Sequence, residues 1–314
     1  MSELSRRLGP IQQVPAECGG PWWRRATRNV LLHGLSAMDR VLPAGRGRTV
    51  QIALFHQVRP KHEQRFRRFL EKVSRTYTLV NYDDAVRAVR GEIPRSGPDA
   101  EQAAQGAEDR MLAISFDDGT ACNVRSAAIL EEFGIRGAFF ICPPVHDERD
   151  PAVLARYCRQ RLRHQPASFM TWEEIETLIA RGHVIGGHTQ SHVNLGEVSV
   201  ETAAEEIGSC REALLRRLGR ADHFAWPYGM FRQITNGALD EVFACGFLTC
   251  ASGVRGAHTV PQTDGRYTGP TPVLHRESLD PAWPMAQQRY FLNRSCRRPL
   301  PAVPTVLQAA QRAA

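Results

Sequence analysis

A chain of 314 residues, of which 42% are hydrophobic and 23% charged, has the composition of a globular protein, which excludes disorder along its whole length. Lys and Arg number 40 against 33 Asp and Glu, and the net charge of +7 favours anionic neighbours without identifying one. The arginines form no recognised nucleic-acid module, so nucleic acid is not an expected partner.

Two features of the sequence bear on its compartment. The N-terminus lacks the order of a secretory signal, and no apolar run reaches the length of a membrane span. The eight cysteines contain no Cys-x-x-Cys pair, which in a chain of this length is typical of reduced thiols rather than of a disulfide framework. We therefore predict a cytoplasmic protein.

Residues 1–47 are predicted to lie outside the main domain, as a tail followed by an amphipathic helix. Residues 1–21 show no periodicity, whereas residues 22–42 carry apolar side chains at helical spacing next to paired tryptophans and several arginines. A helix packed on the outside of the domain is the favoured interpretation. The alternative is a helix on a membrane surface, which would give the protein a peripheral membrane contact.

The first strand of the main domain is predicted over Val50–Phe55, and it ends at His56. A helix over residues 62–77, a short strand at residues 79–81 and a further helix follow. We expect His56 to be a packed core residue, and a supporting group near a site is the alternative. Residues 92–109 are rich in Pro, Gly and Ala and are predicted to be a linker.

The stretch Met111–Gly119 has the pattern of a barrel strand that ends in two carboxylates. Its bulky residues share the face that is expected to pack against helices: Leu112, Ile114 and Phe116. Asp117 shares the opposite face with small residues and lies at the C-terminal rim, where barrel active sites are found. Gly119 permits a sharp turn after Asp118. A simpler interpretation is that one of the two carboxylates caps the following helix.

A predicted helix over residues 124–133 and a strand over residues 137–141 lead into an excursion over residues 143–168 that shows no strand pattern. The excursion contains five arginines: Arg149, Arg156, Arg159, Arg161 and Arg163. One interpretation is a basic segment that leans over the mouth of the barrel and holds an anionic group, because loops after barrel strands contact substrates. The other is a solvated helix face.

Two histidines follow the next predicted strand. The capping box Thr171-Trp-Glu-Glu174 opens a helix, and the strand Val184–Gly187 delivers His188, four residues before His192. One carboxylate and two histidines make a facial set of three ligands that leaves positions open for water and substrate, as in catalytic metal sites. Taken alone, the two histidines are more typical of a helix start or a core.

The rest of the chain continues the alternation of strands and helices. A long helix is predicted from Ser199 to Leu218, and strands are predicted at residues 224–227, 247–251 and 273–275. About eight short strands that alternate with helices predict a closed or nearly closed parallel barrel in the α/β class.

The predicted domain boundaries follow from this pattern. Residues 48–280 form the barrel domain. Residues 281–314 show no regular pattern before a weak helix near residues 306–312, so they are predicted to be a C-terminal tail.

Three motifs, in this order, make the chain resemble the polysaccharide deacetylase family, which is carbohydrate esterase family four and is also called the NodB homology domain. They are Ser115-Phe-Asp-Asp-Gly119, His188-Thr-Gln-Ser-His192 and Trp226-Pro-Tyr-Gly229. The resemblance covers about residues 50–280. It implies a distorted (β/α) barrel with about seven parallel strands.

The resemblance also implies roles for individual residues. Asp117 is the expected base, and the backbone N–H of Tyr228, beside the rigid Pro227, is expected to stabilise the oxyanion. His275 is the expected general acid. The expected metal ligands are Asp118, His188 and His192, and the expected substrate-binding residues are Trp226, Pro227 and Tyr228.

Two departures from the family pattern weaken the expected support for Asp117 and His275. The family's arginine before the Pro-Tyr pair is replaced by Ala225, and its Asp/Trp motif is not visible between residues 235 and 260. A general acid from another part of the chain is therefore the alternative to His275.

The sequence therefore predicts a metal-dependent hydrolase that removes an N-acetyl group from an amino sugar or glycan, either free or lipid-linked, in bacterial surface-glycan metabolism. Zinc is the expected divalent ion, with cobalt, nickel, iron and manganese as alternatives. The alternative functions are a deformylase or an O-acetyl esterase on the same fold, and a barrel that binds carbohydrate without catalysis.

Overall fold

The alternating side chains of the central strand separate the two layers of the fold. The computed structural model describes residues 2–8, 48–92, 110–260 and 273–298. Within them, Leu112, Ile114 and Phe116 belong to the outer core between sheet and helices. Ala113 belongs to the inner core of the barrel, together with Phe140. The predicted assignment of the two faces is confirmed.

Eight strands follow one another around the barrel, and two further short strands pair at its side. In chain order the ten strands of the described residues are β1 (Thr49–Phe55), β2 (Thr78–Leu79), β3 (Arg110–Phe116), β4 (Ala138–Ile141), β5 (Val184–Gly187), β6 (His223–Ala225), β7 (Thr249–Ala251), β8 (His258–Thr259), β9 (Val273–Leu274) and β10 (Glu277–Ser278). The order along the sheet is β10-β1-β3-β4-β5-β6-β7-β9, with every neighbouring pair parallel. β2 pairs with β3, and β8 runs antiparallel to β1.

The two ends of the sheet meet at one short segment. β9 pairs with β7 and β10 pairs with β1, and only His275 and Arg276 separate β9 from β10. Residues 273–278 therefore form a seam that nearly closes the barrel. The prediction of a distorted, nearly closed parallel barrel is confirmed.

The helices surround this sheet. In chain order the α-helices of the described residues are α1 (Glu3–Leu8), α2 (Glu63–Val73), α3 (Tyr82–Val89), α4 (Cys122–Glu132), α5 (Pro143–Asp147), α6 (Pro151–Tyr157), α7 (Trp172–Ala180), α8 (Val200–Leu218), α9 (Asn236–Ala244) and α10 (Met285–Cys296). Short 3-10 or π-helical segments cover Pro60–His62, Cys158–Leu162 and Phe231–Gln233. Helix α7 begins with the predicted capping box of Thr171 and Glu174, and Ser199 caps α8 through the N–H of Thr202.

Aromatic packing outside the barrel fixes the end of β3. The ring of Phe116 lies parallel to that of Phe139, with 5.0 Å between centroids. Phe55 and Phe66 each contact Phe116 at 6.0 Å. Because Phe116 directly precedes Asp117, this packing holds the point from which the first carboxylate projects.

Two segments that were predicted to lack regular structure carry helices. Helix α1 buries Leu4 and Leu8, so the prediction of a loose tail is wrong for residues 3–8. Helix α10 buries Leu292, whose carbonyl accepts a hydrogen bond from Gln51 Nε2 at 3.1 Å, so the predicted lack of pattern after residue 281 is wrong for α10.

The predicted amphipathic helix over residues 22–42, most of the predicted linker and the weak C-terminal helix lie outside the described residues. Among the helices that are described, none combines the length and the apolar character that a membrane crossing requires. The described cysteines are all free thiols.

Candidate metal centre and active site

The ends of several parallel strands bring the predicted site residues to one mouth of the barrel. Asp117 and Asp118 directly follow β3, and His188 directly follows β5. Since the carboxyl ends of parallel strands meet at the same edge, these side chains lie close together. They line a cavity of about 300 Å³ with His192 and Tyr228.

One carboxylate and two imidazoles converge in this cavity. Asp118 Oδ1 lies 3.4 Å from His192 Nε2 and 3.8 Å from His188 Nε2. One potential ligand atom from each of the three residues lies within 4.8 Å of the others. All three residues are between 1% and 4% exposed. The structure thus brings together the three residues predicted as metal ligands.

The donor set fits a divalent metal ion. Asp118 Oδ1 is buried and has no hydrogen-bond partner among the described residues. His188 Nδ1 donates to the carbonyl oxygen of Ala225 at 2.7 Å, which fixes the ring and leaves Nε2 free to act as a ligand. Burial lowers the pKa of His188 to about 4, so this imidazole is neutral at neutral pH, as metal binding requires.

Asp118 is held in its ionised form. Burial raises its pKa, but the contact with His192 and the charge of the nearby His56 outweigh burial, so the pKa lies well below its ordinary value. An ionised carboxylate beside two imidazoles is the ligand chemistry that zinc prefers in catalytic sites.

Asp117 forms a buried ion pair that the sequence reasoning missed. Both of its oxygens accept from Arg276, Oδ1 from Nη1 at 2.7 Å and Oδ2 from Nη2 at 2.9 Å. Arg276 is fully buried, and its Nε donates to the carbonyl of Ser252 at 2.8 Å. Burial raises the pKa of Asp117, but Arg276 and His188 outweigh it, and the pKa is lowered. The support expected at position 225 thus comes from the barrel seam instead.

The mouth of the barrel also contains strained backbone. In the described chain, five non-glycine residues have positive φ angles: Asp118, Arg163, Thr189, His192 and Tyr228. Such conformations cost about 1–3 kcal/mol each and cluster at functional sites. Three of the five are residues predicted to bind metal or substrate, which agrees with a functional role for this mouth.

The structure does not bring His275 to the cavity. The ring is 1% exposed and packs against Phe231 at 5.8 Å and His258 at 5.7 Å between centroids. His275 Nδ1 lies 3.3 Å from the carbonyl of Val254. Burial lowers its pKa to about 4. His275 follows β9 at the seam, where its side chain packs away from the cavity while that of Arg276 reaches Asp117.

Trp226 and Pro227 are likewise not among the described residues that line the cavity. The Trp226 ring is buried, and its Nε1 donates to the carbonyl of Met230 at 3.2 Å. Tyr228, in contrast, lines the cavity and contacts His192 edge to face at 4.9 Å. Of the three predicted substrate-binding residues, only Tyr228 lies at the site.

His56 lies at the mouth rather than in the core, so the prediction of a packed core histidine is wrong. It follows β1, is exposed, and lines the cavity together with Asp117 and Asp118. The signal was present in the sequence, since His56 ends a predicted strand just as Asp117 does.

The basic excursion leans over the mouth. Tyr228 Oη donates to the carbonyl of Arg161 at 2.7 Å, and the Arg163 guanidinium lies 5.1 Å from the centre of the Tyr228 ring. Leu162, between them, lines the cavity. The prediction that this segment leans over the mouth is therefore confirmed, and its role in holding an anionic group stays a prediction.

A second cavity of about 560 Å³ adjoins the first and shares its wall at His56, Asp118, Leu162 and Ser278. Its other lining includes polar side chains and one tryptophan: Gln57, Arg59, His62, His164 and Trp283. The two cavities form one cleft across the mouth of the barrel.

The fold resembles those of several solved deacetylase structures. PplD, a deacetylase from Streptococcus pyogenes, aligns with a TM-score of 0.57 at 13% identity, over 81% of this chain and 100% of its own. IcaB from Ammonifex degensii aligns with a TM-score of 0.55 at 18% identity, over 78% and 98%. The BpsB deacetylase domain from Bordetella bronchiseptica aligns with a TM-score of 0.53 at 15% identity, over 76% and 98%.

The sequence itself matches the family described as polysaccharide deacetylase over residues 104–244. This match includes all three predicted motifs, and with the shared fold it confirms both the resemblance and the enzyme class predicted from the sequence. Residues 104–244 therefore match the polysaccharide deacetylase family, and the chain has the fold of the solved NodB-type deacetylases.

Proposed function

We propose that the protein removes the N-acetyl group from an amino sugar within a glycan, by metal-dependent hydrolysis at the cavity of Asp118, His188 and His192. The observation that carries this proposal is the convergence of these three buried side chains beside a fourth, Asp117, whose geometry suits a base. Zinc is the proposed ion because two histidines and one carboxylate are its typical catalytic ligands. Cobalt, nickel, iron and manganese are the ions to test beside it.

A divalent ion held by these ligands would polarise the amide carbonyl and lower the pKa of a bound water toward about 7. Asp117 accepts the proton of the attacking water. Its Oδ2 lies 4.0 Å from His188 Nε2, close to the ligand set. The two hydrogen bonds from Arg276 hold the carboxylate plane in one orientation, so Asp117 serves as a base and does not rotate into the ligand set.

His56 is the proposed general acid, in place of His275. The leaving amine nitrogen must gain a proton as the carbon–nitrogen bond breaks, so the donor has to face the cavity. His56 lines both parts of the cleft, whereas the ring of His275 is buried against Phe231 and His258.

Tyr228 is proposed to act through its backbone N–H as the donor that stabilises the developing oxyanion. The residue has a φ angle of 63° and follows the rigid Pro227, so its backbone orientation is set before substrate binds. The contacts of its side chain with Arg161 and Arg163 add to this rigidity.

The cleft supports a glycan substrate longer than one sugar. The cavity at the ligand set, about 300 Å³, suits the reacting unit, and the adjoining cavity of about 560 Å³ offers a tryptophan ring and several polar side chains for further units. Deacetylases are among the solved structures with this fold, and one of them is described in complex with acetate.

The proposed setting of the reaction follows from the cysteines and from the charge of the chain. Free thiols at the described cysteines favour a reducing compartment, and hence a cytoplasmic enzyme of surface-glycan metabolism acting on a biosynthetic intermediate. The positive charge of +7 favours a lipid-linked, anionic carrier or a peripheral membrane contact through residues 22–42. Flotation of the chain on anionic liposomes, with and without residues 1–47, tests the membrane contact.

Acetate release from N-acetylglucosamine oligomers, measured with each metal ion in turn, tests the function. We expect metal-dependent release, and no release together with loss of bound metal in Asp118→Ala and His188→Ala. Formate release from an N-formyl substrate, or acetate release from O-acetyl esters alone, would replace the proposed reaction. Tight oligomer binding without any release would instead make the protein a binding module.

A further inference from the structure

The loop that carries the two histidine ligands, His188–His192, needs external support. Thr189 has a φ angle of 61° and His192 one of 58°, both in the left-handed region. Each conformation costs about 1–3 kcal/mol for a residue with a side chain, so the loop keeps this shape only if its surroundings hold it. Within the loop, the N–H of His192 donates to Thr189 Oγ1 at 2.9 Å, which accounts for one contact.

Three further contacts to the loop come from Glu206 on α8. The N–H of Ser191 donates to Glu206 Oε2 at 2.7 Å, and the Ser191 hydroxyl donates to Oε1 at 2.7 Å. The N–H of Gln190 donates to the backbone carbonyl of Glu206 at 3.0 Å. One glutamate thus fixes both residues that lie directly before His192.

Glu206 is 4% exposed, and a buried carboxylate is stable only when its charge is compensated. Arg7 supplies this compensation, because its Nη1 lies 3.2 Å from Glu206 Oε1. Arg7 belongs to helix α1. A second contact also joins the loop to α1: Gln190 Nε2 donates to Glu3 Oε1 at 3.0 Å.

Helix α1 is anchored firmly enough to transmit these contacts. Leu4 and Leu8 are buried in a small core with Val145 and Cys142, whose thiol donates to the carbonyl of His188 at 2.9 Å. Arg161 Nη2 donates to the backbone carbonyl of Arg7 at 3.0 Å, and the carbonyl of Arg161 accepts from Tyr228. The helix therefore contacts the supports of both His192 and Tyr228.

We infer that helix α1 is a positioning element of the metal centre, in which Arg7 acts through Glu206 on the loop His188–His192. The inference rests on the proposed metal site and adds to it residues far from the family motifs. Removing the charge of Arg7 leaves Glu206 buried without its counter-charge, which loosens Ser191 and with it His192. Partners of metal ligands typically change metal affinity by about 10–100-fold when they are replaced.

The test uses the full chain and measures the dissociation constant of Zn²⁺ by competition with a chelator, together with amide hydrogen exchange in residues 188–192. We expect Arg7→Met to weaken zinc binding by about 10–100-fold and to speed exchange at Ser191. Arg7→Lys keeps the charge and should recover part of the affinity. Arg6→Met, on the exposed side of the same helix, is the matched control and should bind zinc as the wild type does.

A double-mutant cycle separates positioning from general stability. Glu206→Gln keeps the shape and one acceptor oxygen but removes the charge, so Arg7→Met should have little further effect in that background. Equal affinity and equal exchange in Arg7→Met and wild type would overturn the inference. A wild-type protein that binds no zinc or other divalent ion would instead overturn the proposed metal site. Unchanged exchange at residues 188–192 in Arg7→Met would then count separately against the role of α1.

Discussion

At the scale of single residues, the orientation of the proposed base depends on Arg276, which belongs to none of the three motifs. Arg276 compensates the charge of Asp117 at a position largely shielded from solvent, since Asp117 is 3% exposed and Arg276 fully buried. Buried ion pairs add little net stability, but breaking one leaves an uncompensated charge. Arg276 is therefore a positioning residue for the proposed base and a structural requirement at once.

Replacing Arg276 by Met should destabilise the protein by about 3–5 kcal/mol, because Asp117 remains buried without its partner. The proposed reaction should slow by about 10²-fold through misplacement of the carboxylate. Arg276→Lys keeps the charge but not the bidentate geometry. Its stability in denaturant unfolding and its kcat should lie between those of the wild type and Arg276→Met. Wild-type stability in Arg276→Met would contradict the role given to the ion pair.

The two candidate acids differ in a way that kinetics can separate. His56→Ala should lower kcat by about 10²–10⁴-fold, because the proposed proton donor to the leaving nitrogen is lost. His275→Ala removes a buried ring from the contact with Phe231 and should lower the melting temperature while leaving kcat within about tenfold of wild type. The reverse pattern of kcat values would return the acid role to His275.

At the scale of elements, short loops after parallel strands carry the site, and their sharp turns set the geometry. The turn after β3 depends on Gly119, which has a φ angle of 65°. A Cβ atom at this position would lie 2.8 Å from His146 Cε1 and 2.8 Å from Ile141 Cγ2, closer than such atoms approach one another. Glycine is thus required both by the backbone conformation and by the neighbouring side chains.

Gly119→Ala should therefore destabilise the protein by about 1–3 kcal/mol and shift Asp118, with weaker metal binding as the result. Gly134→Ala is a matched control, because Gly134 also has a positive φ angle, 72°, but a Cβ atom there would meet no described atom within 4 Å beyond its chain neighbours. Unfolding and zinc titration of both variants would test this. Equal losses in zinc affinity would show that the positive φ angle, rather than the crowding near Asp118, decides the effect.

At the scale of the whole molecule, ion pairs join the outer helices around the barrel. Glu63 on α2 accepts from Arg125 Nη2 on α4 at 2.8 Å. This hydrogen bond lowers the pKa of Glu63 below its ordinary value of 4.5, against the opposing effect of burial. A lowered pKa contributes stability that is present above the unfolded-state pKa and is lost as pH falls through the folded-state pKa.

Glu63→Gln should therefore lower the melting temperature by about 2 °C at pH 7, and the difference from wild type should shrink as pH falls below 4.5. Glu71→Gln, on the exposed side of the same helix, serves as the control and should show no such convergence. Scanning calorimetry of the three proteins between about pH 3 and pH 7 provides the measurement. A difference that stays constant with pH would mean that the ion pair does not contribute through the charge of Glu63.

Much of the barrel and the ligand set could be predicted because their signals are local. The alternation of Leu112, Ile114 and Phe116 reports the two faces of β3, and Asp118, His188 and His192 each stand directly after or near a predictable strand. Strand ends at one edge of a parallel sheet converge whatever their separation in sequence. The convergence of the ligand atoms can therefore be predicted without knowing how the helices pack.

What the sequence did not reveal depends on closure and on polar packing. Arg276 lies 159 residues from Asp117, and their contact exists only because the seam closes the barrel. Helix α10 buries Gln287, Gln288 and Ser295 beside Leu292, so it has no apolar stripe to detect. Helix α1 has only six residues, of which Leu4 and Leu8 are buried, and this is too short for a periodic signal.

The seam at residues 273–278 couples architecture to chemistry. The same six residues that complete the hydrogen-bonded circle supply the guanidinium for Asp117, and they lie beyond the stretch matched by the family, residues 104–244. A fragment limited to residues 104–244 would have unpaired edge strands, which pair readily with those of other molecules. It would also leave the proposed base with no counter-charge. Solubility and catalytic competence should therefore be lost together, at the same point of truncation.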